Sequence, residues 1–95
     1  MTEKPLGENE GTEGQRLFDA FLRDNNLTLT VVAKALGVSE VAVLNWRTGK
    51  SRPVDHQRAK IEILTDGKIP SSSWRTDDER QEIDRTQPLR LAGAA

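Results

Sequence analysis

Between Thr28 and Gly49 the chain is punctuated so closely that only two short helices and a tight turn fit. Thr28 is an N-cap residue type, whose hydroxyl accepts a hydrogen bond from an early helical amide that has no intrahelical partner. Leu27 before it and Val32 after it have the spacing of a hydrophobic staple. Val32, Ala33 and Leu36 then mark one helical face, and Gly37 follows where the chain must take a positive φ to leave the helix, a conformation that costs glycine little. Ser39 offers a second N-cap and Val38 with Val43 repeats the staple spacing. A second helix therefore runs from Glu40 to Arg47 or Thr48, and Gly49 ends it. Helices joined this way cross steeply, so the first needs a small residue at the crossing, which Ala33 supplies, while Val38 fills the corner. Val43 and Trp46 anchor the second helix at i, i+3 and leave Glu40, Val41, Leu44, Asn45 and Thr48 on its outer side.

The flanks carry the same period. Leu17, Phe18, Phe21 and Leu22 lie on one face of a helix that begins at Gln15 and ends near Asn25-Asn26, with Arg16, Asp19 and Arg23 outside that face. Pro53 suits the start of a further helix, where its missing amide hydrogen has no partner to lose. The expected buried stripe there is Val54, Gln57, Ile61 and Leu64, widened by Ala59 and Ile63, and Thr65-Asp66-Gly67 followed by Pro70 closes it. Ile69 and Trp74 are the last residues suited to cover the core, Trp74 as a lid. Beyond Arg75 the chain is rich in charge, and a short helix over 77–85 or a loose tail both fit it. Residues 1–14 hold too few large apolar side chains to offset the entropy of ordering, which predicts an acidic arm. The expected organisation is an all-α, compact domain of four to five helices over 15–75, with an arm at 1–14 and a charged tail at 76–95.

Composition narrows the chemistry. At 95 residues there is room for one core. The absence of cysteine removes disulfides, thiolate metal sites and thiol nucleophiles. No apolar run approaches the roughly 20 residues that span a bilayer, and the N-terminus lacks the pattern of a signal peptide, so the expectation is a cytoplasmic protein with no membrane contact. His56 is the one histidine and has no second ligand or nucleophile beside it in sequence, so neither an enzyme nor a metal or cofactor site is expected. The carboxylates Asp77, Asp78, Glu79, Glu82 and Asp84 interleave with Arg80 and Arg85 at helical spacing, the pattern of a solvated helix face. The net charge of −1 hides an uneven distribution. Residues 1–14 set Lys4 against Glu3, Glu8, Glu10 and Glu13, a balance of −3, whereas residues 45–60 set Arg47, Lys50, Arg52, Arg58 and Lys60 against Asp55, a balance of +4. Local field, rather than the total, governs attraction of a polyanion.

From Gln15 to Trp74, and most densely over Leu27–Pro53, the sequence resembles the lambda-repressor and Cro-like (XRE-like) helix-turn-helix family. The residues that carry the likeness are Val32, Ala33, Leu36, Gly37, Val38, Val43 and Trp46, then Trp46-Arg-Thr-Gly-Lys-Ser-Arg-Pro53. Ile61-Glu62, Thr65–Pro70 and Trp74 are similar to the fourth helix and following turn of phage-type members. The resemblance implies a double-stranded-DNA-binding transcriptional regulator, repressor-like, acting as a homodimer and needing no cofactor. It implies that the helix over about 40–47 enters the major groove, with Glu40, Val41 and Asn45 touching bases and Thr28, Ser39, Thr48, Lys50, Ser51 and Arg52 touching phosphate. Arg58 and Lys60 are expected to be solvated surface, and Trp46 core. Leu29 stands where the family often places a phosphate-binding glutamine, and Val41 and Leu44 stand where it often has polar residues. These departures, with the overall negative charge, motivate a rival expectation: an antitoxin-like or adaptor module that engages a protein partner through the acidic arm or the tail. Leu89 and Leu91, or the surface around Ile69, are the candidate dimer contacts.

Overall fold

The computed structural model describes residues 11–90, and among these every regular element is helical. In chain order they are α1 (Glu13–Asp24), α2 (Leu29–Leu36), α3 (Glu40–Thr48), α4 (Asp55–Leu64), a 3-10 helix (Ser71–Trp74) and α5 (Asp77–Arg85). No single helix among the described residues is long and apolar enough to cross a membrane. The expected arm falls mostly on residues 1–10, outside the described residues. Its expected end at residue 14 is two residues too far along the chain, because Thr12 caps α1: its hydroxyl accepts from the Gln15 amide at 3.1 Å, and the Thr12 side chain is buried with the helix.

The core is a single cluster of Phe18 and Leu22 from α1, Val32, Ala33 and Leu36 from α2, Val43 and Trp46 from α3, Ile61 from α4, and Ile69 and Trp74 beyond it. Leu17, Phe21, Leu27, Leu29, Val38 and Ala42 pack around its edge. Phe18 is the hub of the aromatic part. Its ring meets Trp74 edge-on at 5.7 Å between centroids and Trp46 at 6.4 Å with a 59° tilt, arrangements that aromatic quadrupoles favour over face-to-face stacking. Trp74 is fully buried, so it belongs to the core and is not a lid over it. It reaches that depth because Gly14 has no side chain: a Cβ there would lie 2.5 Å from the indole Cδ2. The first turn of α1 thus sits directly against the indole.

The fourth helix departs most from its sequence pattern. Of the expected stripe only Gln57 and Ile61 are buried, while Val54, Leu64, Ala59 and Ile63 are exposed, Ile63 at 78%. The reason is that α4 packs against the 3-10 helix and the edge of α2 but not against α1, so a single line of its side chains meets the core. Pro53 also does not occupy the first helical position. It precedes the N-cap, Val54, and is itself buried, with its carbonyl accepting from Arg58 Nε at 2.7 Å. The expected closure after α4 is present: the Gly67 amide returns to the Glu62 carbonyl at 2.8 Å, with Asp66 and Gly67 both at positive φ. Thr65 then ties the next segment down, its hydroxyl donating to the Ile61 carbonyl and accepting from the Ile69 amide. Between α1, α2 and α4 an apolar groove of about 170 Å³ is left, lined among others by Phe21, Leu27, Val31, Ala35 and Leu64.

The tail forms the helical alternative. Thr76 and Glu79 make a reciprocal capping box, the Thr76 hydroxyl accepting from the Glu79 amide and the Glu79 carboxylate from the Thr76 amide. No residue of α5 is buried.

Candidate nucleic-acid interface

The helices α2 and α3 meet at 109° across the three residues Gly37, Val38 and Ser39. Each feature of this joint has a local cause. Gly37 adopts φ 71° and ψ 34°, left-handed, and opens the turn. The next amide, Val38, reaches back to the Ala33 carbonyl at 3.0 Å and sets its half-buried side chain against the core. Ser39 then caps α3 by accepting from the Ala42 amide at 3.1 Å, as Thr28 caps α2 by accepting from Val31 at 3.2 Å. The Lys60 ammonium closes the open end of α2 by donating to the Leu36 carbonyl at 2.9 Å, where a cation also meets the negative end of the helix dipole.

With Val43 and Trp46 buried, the outer side of α3 presents Glu40, Val41, Leu44 and Thr48 to solvent, Val41 at 64% exposure. Asn45 is half-buried rather than central on the open face, and its carbonyl gathers the amides of Gly49, Lys50 and Ser51 as the chain leaves the helix. Glu40 is engaged within the joint, its carboxylate accepting from the Thr30 hydroxyl at 2.6 Å. The Thr48 hydroxyl donates to the Leu44 carbonyl at 2.8 Å, which leaves its oxygen lone pairs outward. Thr28, Ser39, Thr48 and Lys50 are exposed and Ser51 is half-buried. Leu29 packs at the core edge.

The basic stretch over 45–60 is far less available than its charge suggests. Arg47 Nε donates to Asp19 Oδ1 at 2.6 Å, joining α3 to α1. Gln15 supports the same joint by donating to the Arg47 carbonyl at 2.8 Å. Arg58 and Lys60 hold backbone carbonyls and are not merely solvated surface. Arg52, assigned to phosphate by resemblance, turns into the protein: its side chain is 14% exposed, and Nη1 donates to the Trp74 carbonyl at 3.2 Å and to Glu79 Oε1 at 2.5 Å. The placement of Arg52 is a correction to the expected phosphate set. Lys50 and Lys60 are the exposed cations of this stretch, and of the two Lys60 is engaged by the Leu36 carbonyl.

Among the described residues Glu79 is the one strongly perturbed acid. Its carboxyl is lowered from 4.5 to about 2, first by the Thr76 amide and then by the Arg52 guanidinium, both of which stabilise the anion. The Thr-x-x-Glu spacing at 76–79 is a capping-box signal that went unread in the sequence, whereas no local signal places Arg52 beside it. His56 is exposed, with Nε2 at 3.3 Å from Gln57 Nε2. Leu89 is exposed at 88%, and Leu91 lies outside the described residues. Compared with protein-family models, with curated proteins and with solved structures, the chain has no match.

Proposed function

We propose that this chain is a double-stranded-DNA-binding transcriptional regulator of the lambda-repressor-like helix-turn-helix kind, acting as a homodimer with α3 in the major groove. The observation that carries this reading is the α2–α3 joint: a crossing of 109° over a three-residue glycine turn, with the outer side of the second helix left open. That geometry lets one helix enter the groove while the N-terminus of the other faces the backbone. Val41 and Leu44 offer apolar contacts of the kind that read a thymine methyl, and Asn45 is the polar base reader beside them. Thr28, Ser39, Thr48, Lys50 and Ser51 lie at the helix ends and the exit from α3, where phosphate contacts fix register.

A second reading follows from a specific observation. Four of the five cations over 45–60 are committed to acceptors within the protein, while Val41 and Leu44 remain exposed. An adaptor on this fold would use that apolar surface to hold a protein partner. Selection of bound sequences from a random duplex pool at moderate salt separates the two. A recovered motif, lost on Asn45→Ala together with Val41→Ala, supports the regulator. Recovery of no motif from a chain that remains folded supports the adaptor.

A further inference from the structure

We infer that α5 is a detachable acidic strap that holds Arg52 away from nucleic acid, with the Glu79 carboxylate occupying the guanidinium that a DNA phosphate would otherwise take. The inference rests on the DNA-binding reading of α3 and deepens it by adding an autoinhibitory contact.

The observations concern what holds Arg52 and what holds α5. Arg52 is two residues beyond exposed Lys50, a span of at most about 7 Å, so the two share one stretch of chain at the exit of α3. A guanidinium is suited to a phosphate and a carboxylate alike, and the two compete for the same donors. Here Glu79 Oε1 has it, at 2.5 Å. The helix that supplies Glu79 is poorly anchored. None of its residues is buried, and its nine residues fall short of the ~12–15 at which an isolated helix becomes marginally stable in water. Among the described residues its other ties to the body run through Arg80, to Glu13 at 3.6 Å and to the Ser72 carbonyl at 3.5 Å, both solvent-facing, and the ion pair is weakened by salt. The same carboxylate oxygen closes the capping box on the Thr76 amide, so fraying the first turn of α5 also loosens the grip on Arg52.

Charge gives the strap its direction of action. Asp77, Asp78, Glu79, Glu82 and Asp84 outweigh Arg80 and Arg85, so α5 carries a net charge of −3 and repels the polyanion for which Arg52 is suited. Approach of DNA and docking of α5 are therefore opposed. Release of the strap withdraws the carboxylate from Arg52, whose Nη1 keeps its bond to the Trp74 carbonyl, and removes a like-charged neighbour.

The test measures affinity of the full chain for one duplex across a series of salt concentrations. Glu79→Gln removes the carboxylate's charge while keeping the side chain's shape, and Glu82→Gln makes the same charge change on α5 away from Arg52. Glu79→Gln is expected to bind roughly three- to tenfold tighter at low salt, with the log–log salt slope steeper by about 0.9 for one added phosphate contact. Glu82→Gln is expected to leave the slope as it is, and adding Arg52→Ala to Glu79→Gln is expected to abolish the gain. Thr76→Ala, which frays α5 without touching its charge, should shift affinity in the same direction as Glu79→Gln. Circular dichroism of each variant confirms that the core is folded. An unchanged slope for Glu79→Gln, or an equal gain for Glu82→Gln, overturns the strap and leaves the DNA-binding reading intact. Failure of the parent and every folded variant to bind any duplex overturns both.

Discussion

Single residues decide more here than their chemistry suggests. Glycine inside a helix normally costs stability relative to alanine by about 1 kcal/mol, so Gly14→Ala would ordinarily strengthen α1. The indole of Trp74 reverses that sign, since the added methyl would sit 2.5 to 2.8 Å from three of its ring carbons. Gly14→Ala is expected to destabilise the protein by about 1–3 kcal/mol through overpacking. For a chain of this size that lowers the melting temperature by about 4–8 °C per kcal/mol, and a variant melting at or above the parent would contradict the close approach. Gln57 offers the opposite case. It is 8% exposed and its amide oxygen is buried without a hydrogen bond among the described residues, so that oxygen carries a desolvation cost that no protein donor there offsets. Gln57→Met, similar in shape, is expected to raise stability by about 1 kcal/mol, read from denaturant midpoints. The Gln57 position was legible as one that faces inward, because it falls on the helical stripe with Ile61. The Gly14 position was not, because its partner lies sixty residues away.

Elements differ in what holds them. Helices α1 to α4 each bury side chains in the common cluster, whereas α5 is held by its caps and by charge. Thr76→Ala removes the capping box and is expected to cost about 1 kcal/mol of local helix stability. Amide exchange over 77–85 should then accelerate while the global melting temperature stays at the parent value. A joint fall of both would show that α5 is part of the cooperative core. Acid acts on the same element. The Glu79 carboxyl titrates at about 2 in the folded protein against 4.5 when unperturbed. Its contribution is therefore complete above pH 4.5 and is lost as pH falls from there toward 2. The expected outcome is that α5 comes away within that window, with exchange over 77–85 rising as Glu79 takes up its proton. An α5 signal insensitive to pH over this range would show that the carboxylate does not hold the helix.

At the scale of the whole molecule, the basic stretch has been drawn largely into the fold's own fastening. Arg47 binds α3 to α1, Lys60 closes α2, Arg58 holds the turn before α4 and Arg52 fastens α5. A DNA interface on this surface would then depend on few phosphate contacts, and Lys50 would be a large share of them. Lys50→Ala is expected to make the log–log salt slope shallower by about 0.9 and to weaken all duplexes by a similar factor, with stability unchanged. Ala33→Leu should instead reduce stability by about 1–3 kcal/mol, because it overpacks the crossing of α2 and α3, and should lose binding only in step with unfolding. A Lys50→Ala variant with the parent's salt slope would remove Lys50 from the interface.

Local chemistry in the sequence was sufficient for the helices around the α2–α3 joint. Thr28, Gly37, Ser39 and Gly49 act through hydrogen bonds and backbone angles that span a few residues, and their pattern reads the same in the chain as in the fold. The inward faces of α1 to α3 were equally legible, since a helical period needs no knowledge of the partner that covers it. The tertiary structure decided what depends on distant neighbours. Val54, Ile63 and Leu64 lie outward because α4 meets only the 3-10 helix and the edge of α2, although their own spacing matched a buried stripe. Trp74 is interior because Gly14 yields the space. Above all, a charged side chain on a long flexible stem takes whichever acceptor the fold brings within reach, and no periodicity records that choice. Arg52 was expected on phosphate and Arg58 and Lys60 in solvent, and only the packed chain directs each of them, with Arg47, to the group that binds it.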